Sequence, residues 1–180
     1  MSRISNDNPI QEDGDIQDNI ILPFQLHESR LRGRFVRMGS VLNDILKRHD
    51  YPRAVSHMIA DMATLALALS SMLKYEGVFT LQSSSKGAVK TLVADVQTHG
   101  SIRACATFDD DTINSLSKSD GYYDGCNLTD LTGDGYMAFT VDQGDKAERY
   151  QGIVGLEGDN LQQSITHYFE QSEQLRTSIY

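Results

Sequence analysis

RYQGIVGLEGDNLQQSITHYFEQSEQL, residues 149–175, combines a glycine-punctuated strand, a tight turn, a capped amphipathic helix and an acidic exit. Alternation puts Tyr150, Gly152 and Val154 on one face of the strand, and Gln151, Ile153 and Gly155 on the other. Gly152, Gly155 and Gly158 remove side chains where a second backbone approaches or the chain must bend. Asp159 stands where an N-cap belongs, with Gln162 three residues on as a capping-box variant. Leu161, Ile165, Tyr168 and Phe169 form the apolar stripe of the helix that follows. The unit is built for packing, and its residue types supply no metal, phosphate or nucleophile chemistry.

Upstream of this unit the pattern is mostly strands, at 78–82, 89–97, 101–108, 136–142 and 149–156. Residues 83–87 and 143–146 are turn-rich connections, and the polar segment 109–132 reads as a loop or insertion. Near the start, 20–26 is a short apolar strand placed at an edge, because Pro23 lacks a backbone donor. Residues 31–38 form another strand, and Ser40 caps a helix built on Val41, Leu42, Ile45 and Leu46. That helix ends near His49-Asp50, since residues before Pro52 avoid the α region. The fold class is α+β, with mainly antiparallel sheets packed with helices. Residues 1–20 read as a disordered acidic lead-in, and 21–180 as one core domain.

The second informative stretch begins at Pro52, which suits the first turn of a helix. Val55, Met58, Ile59, Met62, Leu65, Leu69, Met72 and Leu73 recur at three- and four-residue spacing, while Ala60, Ala63, Ala66 and Ala68 keep the other faces small. A helix running from Pro52 to Glu76, stopped at Gly77, would be ~37 Å long and buried nearly all round. Core is the bland reading of its stripe. Methionine is also the adaptable residue of promiscuous binding surfaces, so Met58, Met62, Leu65, Leu69 and Met72 are the candidate polypeptide-binding or dimer surface.

Other site-like features carry ordinary readings. Cys105 sits in a strand-like run as a small, at least half-buried hydrophobe, and Cys126 is expected to be the more exposed thiol. Two cysteines make neither a disulfide framework nor a tetrahedral zinc site. Asp109-Asp110-Asp111 and Asp130 with Asp134 lack the spacing of a calcium loop. His49 suits a helix C-terminus, and the other histidines are scattered. Residues 83–87 lack P-loop spacing, and the common hydrolase, zincin and dinucleotide motifs are absent from the sequence. No enzyme chemistry is expected.

The 180 residues carry a formal charge of −9, which argues against a nucleic-acid surface and favours dispersion by mutual repulsion. Residues 1–20 lack a secretory pattern, and the apolar tract 58–73 is broken by Asp61, Thr64, Ser70 and Ser71. The expectation is a cytoplasmic protein with no membrane and no nucleic-acid partner.

The order of residues in the opening stretch resembles the 33 kDa redox-regulated heat-shock chaperone family (Hsp33). The resemblance rests on Tyr150 to Gly152, Val154 to Asp159, Tyr168-Phe169 and Ser172 to Leu175. It continues upstream through Arg32-Gly33, Ile45-Leu46, His49-Asp50-Tyr51-Pro52, Leu73-Lys74, Gly77, Thr80, Leu131, Gly133 and Gly135-Tyr136. It implies the N-terminal core of a redox-regulated holdase that binds unfolding proteins under oxidative and heat stress. Its partners would be unfolded or misfolded clients and a second copy in a homodimer. The family's redox switch is a C-terminal zinc domain with C-x-C and C-x-x-C, spacings that Cys105 and Cys126 do not form. The chain is therefore expected to be a C-terminally truncated core, with no cofactor of its own and zinc confined to the missing domain. A chain ending at Tyr180 would stop while entering another strand. The alternative is a constitutive protein-interaction or structural domain without client binding.

Overall fold

A computed structural model describes residues 18–116, 122–143 and 150–180. The expected lead-in lies largely in residues 1–17, outside the described residues, as do most of the turn expected at 143–146 and Arg149. Among the described residues, seven strands and five α-helices make an α+β fold with two antiparallel sheets.

Strands β1 (Ile20–Leu26) and β2 (Leu31–Arg37) pair only with each other among the described residues. Strands β3 (Val78–Ser85), β4 (Val89–Gln97), β5 (Ile102–Phe108), β6 (Gly135–Asp142) and β7 (Tyr150–Gly155) form the larger sheet, in the order β5-β4-β3-β6-β7. Alternation along β3, β4 and β6 sends Phe79, Leu81, Leu92, Ala94, Met137 and Val141 to one buried face. The serines expected to turn at 83–85 stay in the strand, with Ser84 opposite both Thr91 and Tyr136. Buried Ser83 accepts a hydrogen bond from Leu92 N at 3.1 Å, so its hydroxyl is tolerated in the core.

Helix α1 is Ser40–Leu46, and α2 is Arg53–Ser70. Ser40 is not the cap of α1. The N-cap is Gly39, and the orphan donors are met from outside the helix: Ser40 N donates to Asp18 Oδ2 at 2.6 Å, and Gly39 N and Val41 N donate to Asn19 Oδ1.

Helix α2 is the central element, packed against the larger sheet, β2, α1 and a later helix. Ala54, Val55, Met58, Ile59, Met62, Ala63 and Ala66 are all fully buried, as a helix apolar on most sides requires. It stops at Ser70, not Glu76. The Ser70 hydroxyl donates to Leu67 O at 3.1 Å, and the Ser71 hydroxyl to Ala68 O at 2.8 Å. Met72 N and Leu73 N then make tightened bonds three residues back, to Leu69 O and Ser70 O. The helix is therefore ~27 Å long, and Gly77 opens β3 with its N–H donating to Thr98 Oγ1 at 2.8 Å.

The segment expected to be a loop at 109–132 contains α3 (Asp110–Leu116), a 3-10 turn at Tyr122–Gly125, and α4 (Leu128–Thr132). Asp109 caps α3 by accepting from Thr112 N at 2.8 Å, and Asn127 with Asp130 forms a capping box on α4. Ile113, Tyr123, Cys126, Leu128 and Leu131 from this segment join the core. Tyr123 and Asp124 hold left-handed backbone with φ of 51° and 54°. Tyr123 Oη donates to Asp61 Oδ2 at 2.5 Å, and Asp124 faces Arg53 at 3.4 Å, so α2 anchors both residues.

Helix α5 (Leu161–Gln171) begins at Asn160, one residue after the expected cap. Asn160 Oδ1 accepts from Gln163 N, while Gln163 Oε1 accepts from Asp159 N at 2.9 Å. Gly152 of β7 lies under the Phe139 ring and the Tyr168 hydroxyl, where a Cβ would collide with both. That close approach lets α5 settle on the sheet with Phe139 and Tyr168 edge to face at 4.8 Å. Residues 174–180 carry no regular structure, so the strand expected there is not formed.

Candidate interaction surface

The sequence proposed Met58, Met62, Leu65, Leu69 and Met72 as one surface. The structure divides them. Met58, Met62, Leu65 and Leu69 are buried in the core, and only Met72, beyond the helix end, is exposed. Its neighbour Leu73 is exposed as well.

The larger apolar exposure lies on the β1–β2 hairpin. Its register places Leu22 opposite Phe35, Phe24 opposite Gly33, and Leu26 opposite Leu31. All five apolar side chains therefore share one face. They are 45–55% exposed: Leu22 48%, Phe24 46%, Leu26 53%, Leu31 45% and Phe35 55%. The opposite face looks inward. Ile21 and Val36 pack against the core, and Arg34 donates to Ser71 O at 3.3 Å beside the end of α2. Gly33 matters here because the Phe24 ring lies across it, and a Cβ would lift the ring off the ribbon. At the base, Asp18 and Asn19 tie the hairpin to the start of α1.

The face was legible in principle. Leu22, Phe24 and Leu26 alternate, but Ile20, Ile21 and Pro23 fill both parities and hide the period. A single strand carries no register, so the positions of Leu31 and Phe35 opposite it are fixed only by the pairing.

The outer face of the larger sheet has a different character. Thr80 donates to Asp95 Oδ1 at 2.6 Å, and Arg103 meets Asp95 Oδ2 at 2.7 Å, so polar groups there satisfy one another. Cys105 lies on that face and is exposed, while Cys126 is buried with its Sγ donating to Leu116 O at 3.3 Å. This reverses the exposures expected of the two thiols. Strand parity turns Cys105 outward with Arg103, and Cys126 is drawn inward after the left-handed turn. Both are free.

Two open grooves accompany these surfaces. One, of about 570 Å³, runs between Ile21, Leu67, Leu73, Tyr75 and Val96. The other, of about 620 Å³, is lined by Cys126, Asn127, Asn160, Gln163 and Tyr180. The hydroxyls of Ser70 and Ser71 in the first groove are turned to backbone carbonyls, and amides dominate the second. Neither presents a nucleophile on a base among the described residues. The most perturbed phenol is Tyr168: burial raises its pKa, and its hydrogen bonds to Tyr150 and Glu173 raise it further. Its hydroxyl donates to Glu173 Oε1 at 2.7 Å, which fastens the end of α5 rather than preparing a base.

Among the described residues, no three His, Cys, Asp or Glu side chains converge as a metal site. The described residues offer no fitting ligand set for the zinc that the family resemblance implies. No helix among the described residues is long and apolar enough to cross a membrane.

Fold and surface together define an α+β scaffold with a packed centre and an outlying hairpin that displays apolar side chains. The chain belongs to the Hsp33 family, whose model, described as Hsp33 protein, matches residues 19–180. It is similar to the 33 kDa chaperonin of Caulobacter vibrioides, with 35% identity over 170 residues, covering 94% of this chain and 55% of that protein. It is also similar to the 33 kDa chaperonin of Vibrio vulnificus, with 34% identity, covering 90% of this chain and 52% of that protein. The crystal structure of the 33 kDa chaperonin from Thermotoga maritima shares the fold at a TM-score of 0.72 and 19% identity. That likeness covers 88% of this chain and 53% of the other. The chain spans about half the length of the curated relatives it matches.

Proposed function

We propose that this chain is the core of a holdase chaperone, which binds unfolding polypeptides and keeps them from aggregating. The observation that carries the reading is the exposed apolar face formed by Leu22, Phe24, Leu26, Leu31 and Phe35. A contiguous apolar patch of this kind marks an interaction site, since soluble proteins otherwise keep such patches small. A net charge of −9 lets the chain carry it without collapsing onto its own kind. Family membership supports the choice of unfolded proteins as partners.

The reading includes no enzymatic step and no cofactor held by this chain. The redox switch that the family resemblance implies needs C-x-C and C-x-x-C, which Cys105 and Cys126 do not form, so protection by residues 1–180 themselves is expected to be independent of redox state. Cytoplasmic residence is part of the same reading. So is a homodimer, supported by the outer strands β5 and β7, each paired on one side only among the described residues.

The test is light scattering of a heat-unfolded client protein without disulfides, with and without the chain, under reducing and oxidising conditions. The expected result is slower aggregation, equal in the two conditions. Unchanged aggregation in both would leave the constitutive interaction domain as the better reading, consistent with burial of Met58, Met62, Leu65 and Leu69. Sedimentation that finds only monomer at high concentration would remove the homodimer.

A further inference from the structure

We infer that the outer face of the β1–β2 hairpin is the docking surface for extended polypeptide segments whose apolar residues are flanked by acidic ones. This rests on the client-binding reading above and adds where the client sits and what charge it carries.

The shape of the surface selects an extended ligand. The five apolar side chains lie in two adjacent rows, one per strand, on one face of a two-stranded ribbon, a layout that matches the alternate side chains of an extended segment. The ribbon is unpaired on its flanks among the described residues. Strand β1 contains Pro23, which cannot donate, whereas β2 contains no proline, so β2 is the edge able to offer continuous donors. A segment added beside β2 would set alternate side chains level with Phe35 and Leu31, extending the apolar face by one strand.

Charge selects among extended ligands. Between Ile20 and Arg37 the sequence holds four arginines and one glutamate, inside a chain whose formal charge is −9. Arg34 is committed to Ser71 O and Gly33 O, and Arg37 faces Asp18 at 3.8 Å. Arg30 and Arg32 are exposed and have no ion-pair partner among the described residues. The exposed apolar face of the hairpin, on an acidic protein, is thus edged by cations without ion-pair partners among the described residues. A second copy is the poorer occupant. A twofold contact through this face would bring Arg30 and Arg32 against themselves.

The experiment uses the full chain and two fluorescein-labelled peptides that alternate valine and threonine, one with glutamates at both ends and one with lysines. Anisotropy is expected to show the glutamate peptide binding more tightly by about tenfold, with the gap closing at high salt. The L22T/F35T variant keeps β-forming residues, and its circular dichroism and melting should match the parent. It is expected to weaken glutamate-peptide binding by about tenfold or more. The R30E/R32E variant, altered only at exposed side chains, should reverse the preference between the two peptides. Equal binding by the parent and L22T/F35T would overturn the inference, as would a change in sedimentation in L22T/F35T, which would make the face an interface between copies. If the heat-unfolded client is protected equally by the parent and L22T/F35T, clients dock elsewhere and the holdase reading stands alone. If the parent protects nothing and binds neither peptide, both readings fail.

Discussion

Gly152 shows how far a single residue could be read. Its place in a strand signals close approach, and the structure supplies the approaching groups, the Phe139 ring and the Tyr168 hydroxyl. Gly152→Ala should therefore overpack the joint between β7 and α5 and destabilise the fold by about 1–3 kcal/mol in urea titration. The same change at Gly100, where a Cβ meets nothing, tests backbone strain alone because its φ is +87°. The cysteines were less legible, because exposure follows from strand parity and from a left-handed turn that composition does not reveal. Asp109 stands in an acidic, loop-like run of sequence, and in the structure it caps α3. Hydrogen bonds from Thr112, side chain first and backbone second, hold its carboxyl below the ordinary value of 3.8. A carboxylate with a depressed folded-state pKa stabilises the fold above its ordinary pKa, and that stabilisation is lost as pH falls through the depressed value. The Thr112 amide should accordingly shift in NMR spectra as pH falls below the ordinary range, and Asp109→Asn should flatten the titration.

At the scale of elements, periodicity carried the most information where it was longest. The three- and four-residue spacing from Val55 to Leu69 located α2 and its burial, and the alternation from Val89 to Gln97 located β4. Where period gave out, boundaries failed. The apolar residues run on through Met72 and Leu73, yet the hydroxyls of Ser70 and Ser71 take up the last carbonyls and end α2. Between Asp109 and Thr132 the buried residues are too sparse to show a period, and the polar caps between them look like loop. The hairpin was found as two strands, but its apolar face depended on register, which no single strand contains. One pair of substitutions separates the core part of the methionine stripe from its surface end. Met62→Ala should cost about 2–5 kcal/mol, because the side chain is fully buried. Met72→Ala should stay within about 0.5 kcal/mol, because that side chain is half exposed. Equal losses in thermal or urea denaturation would mean that α2 extends beyond Ser71.

At the scale of the molecule, two opposed properties have to coexist. A long buried helix and a satisfied sheet leave one ribbon whose outer side chains want to leave water, while a charge of −9 holds the molecules apart. The balance depends on carboxylates, and the sequence pI is about 4.9. As pH falls toward that value the net repulsion vanishes, but the apolar area of the hairpin is unchanged. Association should then be driven by the face itself. Light scattering at constant ionic strength is expected to rise steeply between neutral pH and the pI, and to rise earlier with added salt, which screens the same repulsion. The L22T/F35T variant has the same charge at every pH, so charge alone predicts an identical curve. If the exposed ribbon is the adhesive element, the variant's curve stays lower throughout the acid range. Identical curves would place the adhesion on Tyr136, Ile153 and the rest of the larger sheet.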